Sequence, residues 1–156
     1  MESFISFLND SHAVQLLVAL LLGVFVGAER SRAGKTAGLR TYGLVSLGSC
    51  LFVLVSVAVV PSVVGVTGAD VMRVVAGVVT GIGFLGAGAI IMRGETLTGL
   101  TTAAGLWVSA GIGVAVALEL YALAVVTTVL TLLAFTVLWS VEHKVVGVDD
   151  KIDGNY

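Results

Sequence analysis

The chain of 156 residues holds one proline, one cysteine and two histidines, and only 12% of it is charged, about half the ~25% of an ordinary soluble domain. So little charge excludes a water-soluble globule. The lone Cys50 excludes an intramolecular disulfide and stands in no metal-binding spacing. With 8 Lys and Arg against 10 Asp and Glu, the net charge of -2 supplies no basic surface for nucleic acid. His12 and His143 lie near the ends and read as solvated, and no residue pairing suggests a nucleophile with its base, so enzyme activity is not expected. What abounds is apolar residue, 58% of the chain, and glycine, 20 residues.

Charge is expensive in hydrocarbon and collects at span ends. Five stretches free of it emerge, at about 13–28, 42–60, 74–92, 97–118 and 120–141. Backbone in lipid must satisfy its own hydrogen bonds, which favours helices over an open sheet. The sequence therefore predicts an all-α, polytopic transmembrane helix bundle of five spans over residues 1–141, with 142–156 as a short cytoplasmic tail. Phe4 to Leu8 offer a short interfacial helix or a frayed terminus. Arg30, Arg32, Lys35 and Arg40 share the first loop. Placing that loop inside also puts Arg93, Lys144 and Lys151 inside and leaves only Arg73 outside, giving an outer N-terminus and a cytoplasmic C-terminus. The segment before the first span has no basic stretch, so that span reads as a retained helix and not a signal peptide.

The run from Gly81 to Gly88 contains the pattern G-x-G-x-x-G. A dinucleotide turn needs a preceding strand and water, and here both flanks are membrane-length apolar sequence. Small residues instead let helices approach closely in lipid. Gly23 and Gly27, Gly77 and Gly81, and Gly105, Ser109 and Gly113 recur every four residues, so spans one, three and four are expected to meet at these faces. Gly81, Gly83, Gly86 and Gly88 also allow a second reading, a break in the third helix beside a cavity. Trp107, midway along its span, is expected to fill a groove left by glycine, whereas Tyr42, Tyr121 and Trp139 suit the interfacial belt. Thr80, Thr101 and Thr102 read as bonded to the preceding turn or, alternatively, as ion ligands.

No ionisable residue lies well inside a span, which argues against an ordinary secondary transporter. Two clusters flank the membrane. Glu29, Arg30, Arg40, Arg93 and Glu95 are expected to network at the inner mouth. On the outer side Asp70 and Arg73 share a helix face, with Glu119 in the turn before the fifth span. Asp70 reads first as a helix cap; the alternative joins it to Glu119 as two carboxylates around a hydrated Mg²⁺, the one cofactor the sequence suggests.

The pieces Gly27-Ala28-Glu29-Arg30, Ala37-Gly38-Leu39-Arg40-Thr41, Asp70 with Arg73, Gly81 through Gly88, and Gly99-Leu100-Thr101-Thr102-Ala103-Ala104 before Trp107 occur here in one order and spacing. In this set the chain resembles the MgtC/SapB family of bacterial and archaeal inner-membrane proteins, in a short form without the soluble C-terminal domain of some members. The resemblance implies a multi-pass protein of the inner (plasma) membrane, linked to growth at low Mg²⁺, to acid resistance and, in pathogens, to survival inside macrophages. It implies as partners the proton-translocating ATP synthase or an Mg²⁺-transporting P-type ATPase. Thr101 departs from the asparagine of the best-known member.

Two functions follow. The first is a non-enzymatic regulator in the lipid bilayer, acting by helix contact with a second copy of itself or with a transport or energy-coupling complex. The alternative is a small Mg²⁺ or proton channel entered at Asp70 and Glu119.

Overall fold

The computed structural model describes residues 11–59, 67–93 and 96–141. The segment around Phe4 to Leu8, Gly94 and Glu95, and the tail 142–156 lie outside them. Five helices are long and apolar enough to cross a membrane. They are α1 (Ser11–Arg32), α2 (Leu39–Val59), α3 (Gly68–Ala89), α4 (Leu100–Ala117) and α5 (Tyr121–Leu133), the last running through a π-helical stretch, Ala134–Leu138, into a final turn at Trp139–Val141. Even α4, at 18 residues the shortest full span, rises about 27 Å at 1.5 Å per residue, close to the ~30 Å hydrocarbon core.

α1, α2 and α3 begin before the uncharged stretches or run past them, because charged residues join their end turns. Glu29 to Arg32 complete α1, and Asp70 and Arg73 lie in the first two turns of α3, which starts at Gly68 and not at 74. Between α3 and α4, where only a short turn is expected, stands an antiparallel hairpin of β1 (Ile91–Arg93) and β2 (Thr96–Thr98), with Ile91 opposite Thr98, Met92 opposite Leu97 and Arg93 opposite Thr96. Gly99, left-handed at φ 92°, turns the chain from this hairpin into α4, and a Cβ there would collide with the Ala89 carbonyl.

The α1–α2 corner is a Schellman turn. The Lys35 amide donates to the Arg30 carbonyl at 3.0 Å and the Gly34 amide to the Ser31 carbonyl at 3.2 Å, with Gly34 left-handed at φ 68°. Ser31 Oγ then accepts the Leu39 amide at 3.2 Å, fixing the start of α2 against the end of α1.

α4 is the hub: it packs against each of the other four spans, while among the described residues the main contacts of α3 are with α2 and α4. The expected meeting of spans one, three and four at their glycine faces is corrected here, because the faces of α1 and α4 both seat on α2. A Cβ on Gly23 would lie 2.7 Å from the Tyr42 carbonyl oxygen, and one on Gly27 2.7 Å from the Leu39 Cα. On α4, a Cβ at Gly113 would overlap the Ser46 carbonyl, and Ser109 Oγ donates to the Tyr42 carbonyl at 2.9 Å. α3 is different. It is one unbroken helix, so the alternative of a break at its glycines is overturned, and among the described residues Gly77, Gly81, Gly83 and Gly88 have nothing beyond their own helix turn within 4 Å of where a Cβ would stand. Gly86 alone of these touches a neighbour, Ala103 of α4, at ordinary contact distance.

Candidate functional site

The basic loop end of the bundle holds a desolvated polar cluster. Arg30, in the last turn of α1, is 4% exposed, ion-paired with the adjacent Glu29, and lies 3.7 Å from the centroid of the Phe135 ring. A buried guanidinium is tolerable only with such partners, a carboxylate and the negative face of an aromatic ring. Phe135 belongs to the π-helical stretch of α5, a local widening that re-aims a side chain and often marks a functional position.

Tyr42 completes the cluster. It is fully buried, where an interfacial belt is expected, and its hydroxyl donates to the Thr102 carbonyl at 3.2 Å. Gly105 makes room for both aromatics: a Cβ there would stand 2.5 Å from the Tyr42 hydroxyl and 2.7 Å from the edge of Phe135. Four spans, α1, α2, α4 and α5, are thus locked by Arg30, Tyr42, Thr102 and Phe135.

Of the expected inner-mouth network, the Glu29–Arg30 pair is the part that forms among the described residues. Arg40 is exposed and turns instead to a groove between α2 and α3; the side chain of Arg93 and all of Glu95 lie outside the described residues. Thr101 is exposed, and Thr102 is buried. Trp107, expected to fill a groove left by glycine, is 54% exposed among the described residues.

At the opposite end the N-cap of α3 is Thr67, and Asp70, expected to cap the helix itself, stands at its third position and completes a capping box. Its Oδ2 accepts the Thr67 amide at 2.8 Å and the Thr67 hydroxyl at 3.2 Å, while Oδ1 lies 3.4 Å from Arg73. Glu119 is left-handed at φ 61° in the turn that ends α4, where its amide bonds the Val116 carbonyl at 3.0 Å and the Leu120 amide bonds Ala115 at 2.9 Å. Each carboxylate thus has a place in a helix terminus. Among the described residues no group of three or more His, Cys, Asp or Glu gathers where a metal ion would be held.

Gln15 is the residue that sequence reading passes over. Its side chain is 1% exposed, and Nε2 donates to the Val116 and Ala117 carbonyls, each at 3.2 Å, so α1 caps the end of α4. His12 Nδ1 lies 2.9 Å from Gln15 Oε1, half-buried and not solvated as expected. A glutamine amid apolar residues was the available signal.

Among known proteins the chain is 44% identical over 123 residues to MgtC of Salmonella typhimurium (strain LT2), covering 79% of this chain and 50% of that protein. It is 42% identical over 126 residues to YhiD of Escherichia coli (strain K12), named as a candidate magnesium transporter, covering 80% and 59%. With SrpB of Synechococcus elongatus the identity is 38% over 130 residues, covering 78% and 71%. The chain therefore spans between half and three fifths of MgtC and YhiD. No solved structure matches. The family profile of MgtC matches residues 16–144, from within the first span through the fifth, and the chain belongs to the MgtC family as a multi-pass membrane protein.

Proposed function

We propose that the chain is a non-enzymatic protein of the inner (plasma) membrane that serves Mg²⁺ homeostasis, or adaptation to low Mg²⁺ or acid, through contact of its α3 with helices of a transport or ATP synthase complex. In this reading the N-terminus is outside, the C-terminus and the tail 142–156 are cytoplasmic, and residues 1–141 are one membrane domain. The magnesium name of YhiD supports the physiological part.

The observation that carries the contact is the outward face of α3. Ala76, Thr80, Gly83 and Ala87 are exposed, small and spaced four, three and four apart, so that they share one helix face. Thr80 Oγ1 donates to its own Ala76 carbonyl at 2.9 Å, so this face offers no unsatisfied polar group to lipid. A partner backbone can approach it closely.

The test is affinity capture from native membranes with wild type and Gly83→Leu. Because nothing lies within 4 Å of a Gly83 Cβ, the variant should accumulate and fold as wild type does. Loss of the captured partner and failure to restore growth at low Mg²⁺ are expected; an unchanged partner set sinks the reading. Gly105→Leu, by contrast, tests only the fold, since Tyr42 and Phe135 occupy that space.

A second reading, an Mg²⁺ pathway, is favoured by the name of YhiD alone. Mg²⁺ uptake into sealed proteoliposomes no faster than into empty vesicles removes it.

A further inference from the structure

Between α2 and α3 runs an open groove of about 730 Å³. Leu44, Phe52, Val78 and Ile82 line its walls. It is wide because side chains are missing on both sides: Gly48, Gly77 and Gly81 border it, and a Cβ on any of them would meet nothing within 4 Å. Toward α3's start a smaller hollow of about 390 Å³ continues it, past Phe52 to Asp70. At its other mouth stand Arg40 and Thr41, both exposed. Among the described residues Arg40 forms no ion pair with a carboxylate, and Arg32 and Lys35 belong to the same end of the bundle. The groove is therefore apolar along its length and positive at one opening.

We propose that this groove binds an anionic phospholipid from the leaflet on the side of the Arg30 to Arg40 loop, Arg40 and Thr41 holding the phosphate and an acyl chain lying between α2 and α3. The chemistry matches at both ends. A guanidinium recognises phosphate with two parallel donors, the Thr41 hydroxyl adds a third, and basic openings between membrane helices select acidic headgroups. An acyl chain suits a trough whose floor is glycine, because it bends to the free volume and needs no hydrogen bond. A second copy of the chain fits less well, since a two-fold axis along the membrane normal would set Arg40 against its counterpart. This inference is independent of the partner face, because Gly83 does not border the groove.

Native mass spectrometry tests it, on the full chain released from detergent with added phosphatidylglycerol or phosphatidylcholine. Wild type should retain phosphatidylglycerol in preference to phosphatidylcholine. Arg40→Gln should cut phosphatidylglycerol retention by roughly fivefold, the contribution of one basic residue near an acidic surface, and leave phosphatidylcholine unchanged. Gly77→Leu, which fills the trough where nothing else stands, should reduce retention of both. Arg32→Gln, equally basic and outside the groove, should change neither. Equal retention of the two lipids by wild type, or an equal effect of Arg32→Gln and Arg40→Gln, overturns the proposal. So does a dimer that Gly77→Leu abolishes while phosphatidylglycerol stays bound.

Discussion

Glu119 is a residue whose conformation explains its position better than its charge does. At φ 61° it occupies the left-handed site that ends α4, a site glycine fills without penalty. An L-residue there costs about 1 kcal/mol. Glu119→Gly should therefore raise stability by about 1 kcal/mol, read as a higher midpoint of thermal unfolding in detergent micelles. A lower midpoint would mean that the carboxylate itself has a stabilising partner. Gln15 shows the reverse case, a polar side chain valuable because it is inside. Its two bonds go to carbonyls in the last turn of α4, where intrahelical donors run out. Ser46 has no such luck: fully buried between Gly23 and Gly113, its hydroxyl is the one buried side-chain polar atom without a partner among the described residues. The usual acceptor one turn back, the Tyr42 carbonyl, already receives Ser109.

At the scale of the element, the glycines separate into two kinds that sequence spacing cannot tell apart. Gly113 and Gly77 both sit in four-residue repeats, yet one is pressed against the Ser46 carbonyl and the other faces open space. Gly113→Ala should cost about 1–3 kcal/mol through overpacking, whereas Gly77→Ala should gain up to ~1 kcal/mol of helix propensity. Chemical unfolding of the two variants in one detergent checks this, and equal effects would contradict the packing described. What is legible in the sequence follows the same division. The five spans are legible because charge and hydrocarbon exclude each other; that Thr67 and not Asp70 is the N-cap of α3 is not, because the uncharged stretch begins at 74 and the helix at Gly68. The hairpin at Ile91–Arg93 and Thr96–Thr98 is not, since strands of three residues carry no period. Nor is the burial of Tyr42 or the exposure of Trp107, because in a uniformly apolar span no polar face marks which side meets lipid and which meets protein. Of the candidate site, Glu29 and Arg30 come together as expected; Phe135, their partner across the bundle, is one apolar residue among many in α5.

For the whole molecule, the proposed orientation places the basic corner between α1 and α2 on the cytoplasmic side. Thr36 is exposed there, and the native Cys50 is buried. A Thr36→Cys variant should react with a membrane-impermeant maleimide in inverted vesicles and not in intact cells, as basic loops stay on the cytoplasmic side. Labelling in intact cells would reverse the orientation.

The central place of α4 bears on how the molecule is made. Spans enter the bilayer in the order of synthesis, and helices associate afterwards. When α1, α2 and α3 are already in place, Gly23 of α1 already lies against Tyr42 and Ser46, but the side of that seat that takes Ser109 and Gly113 is still empty, because its occupant is the fourth helix. The carbonyls that Gln15 caps do not yet exist at that moment. Completion of the bundle therefore waits on the fourth span, and a chain whose synthesis stops after α3 keeps the α1–α2 contact but leaves the Ser46 carbonyl side of α2 without its Gly113 neighbour.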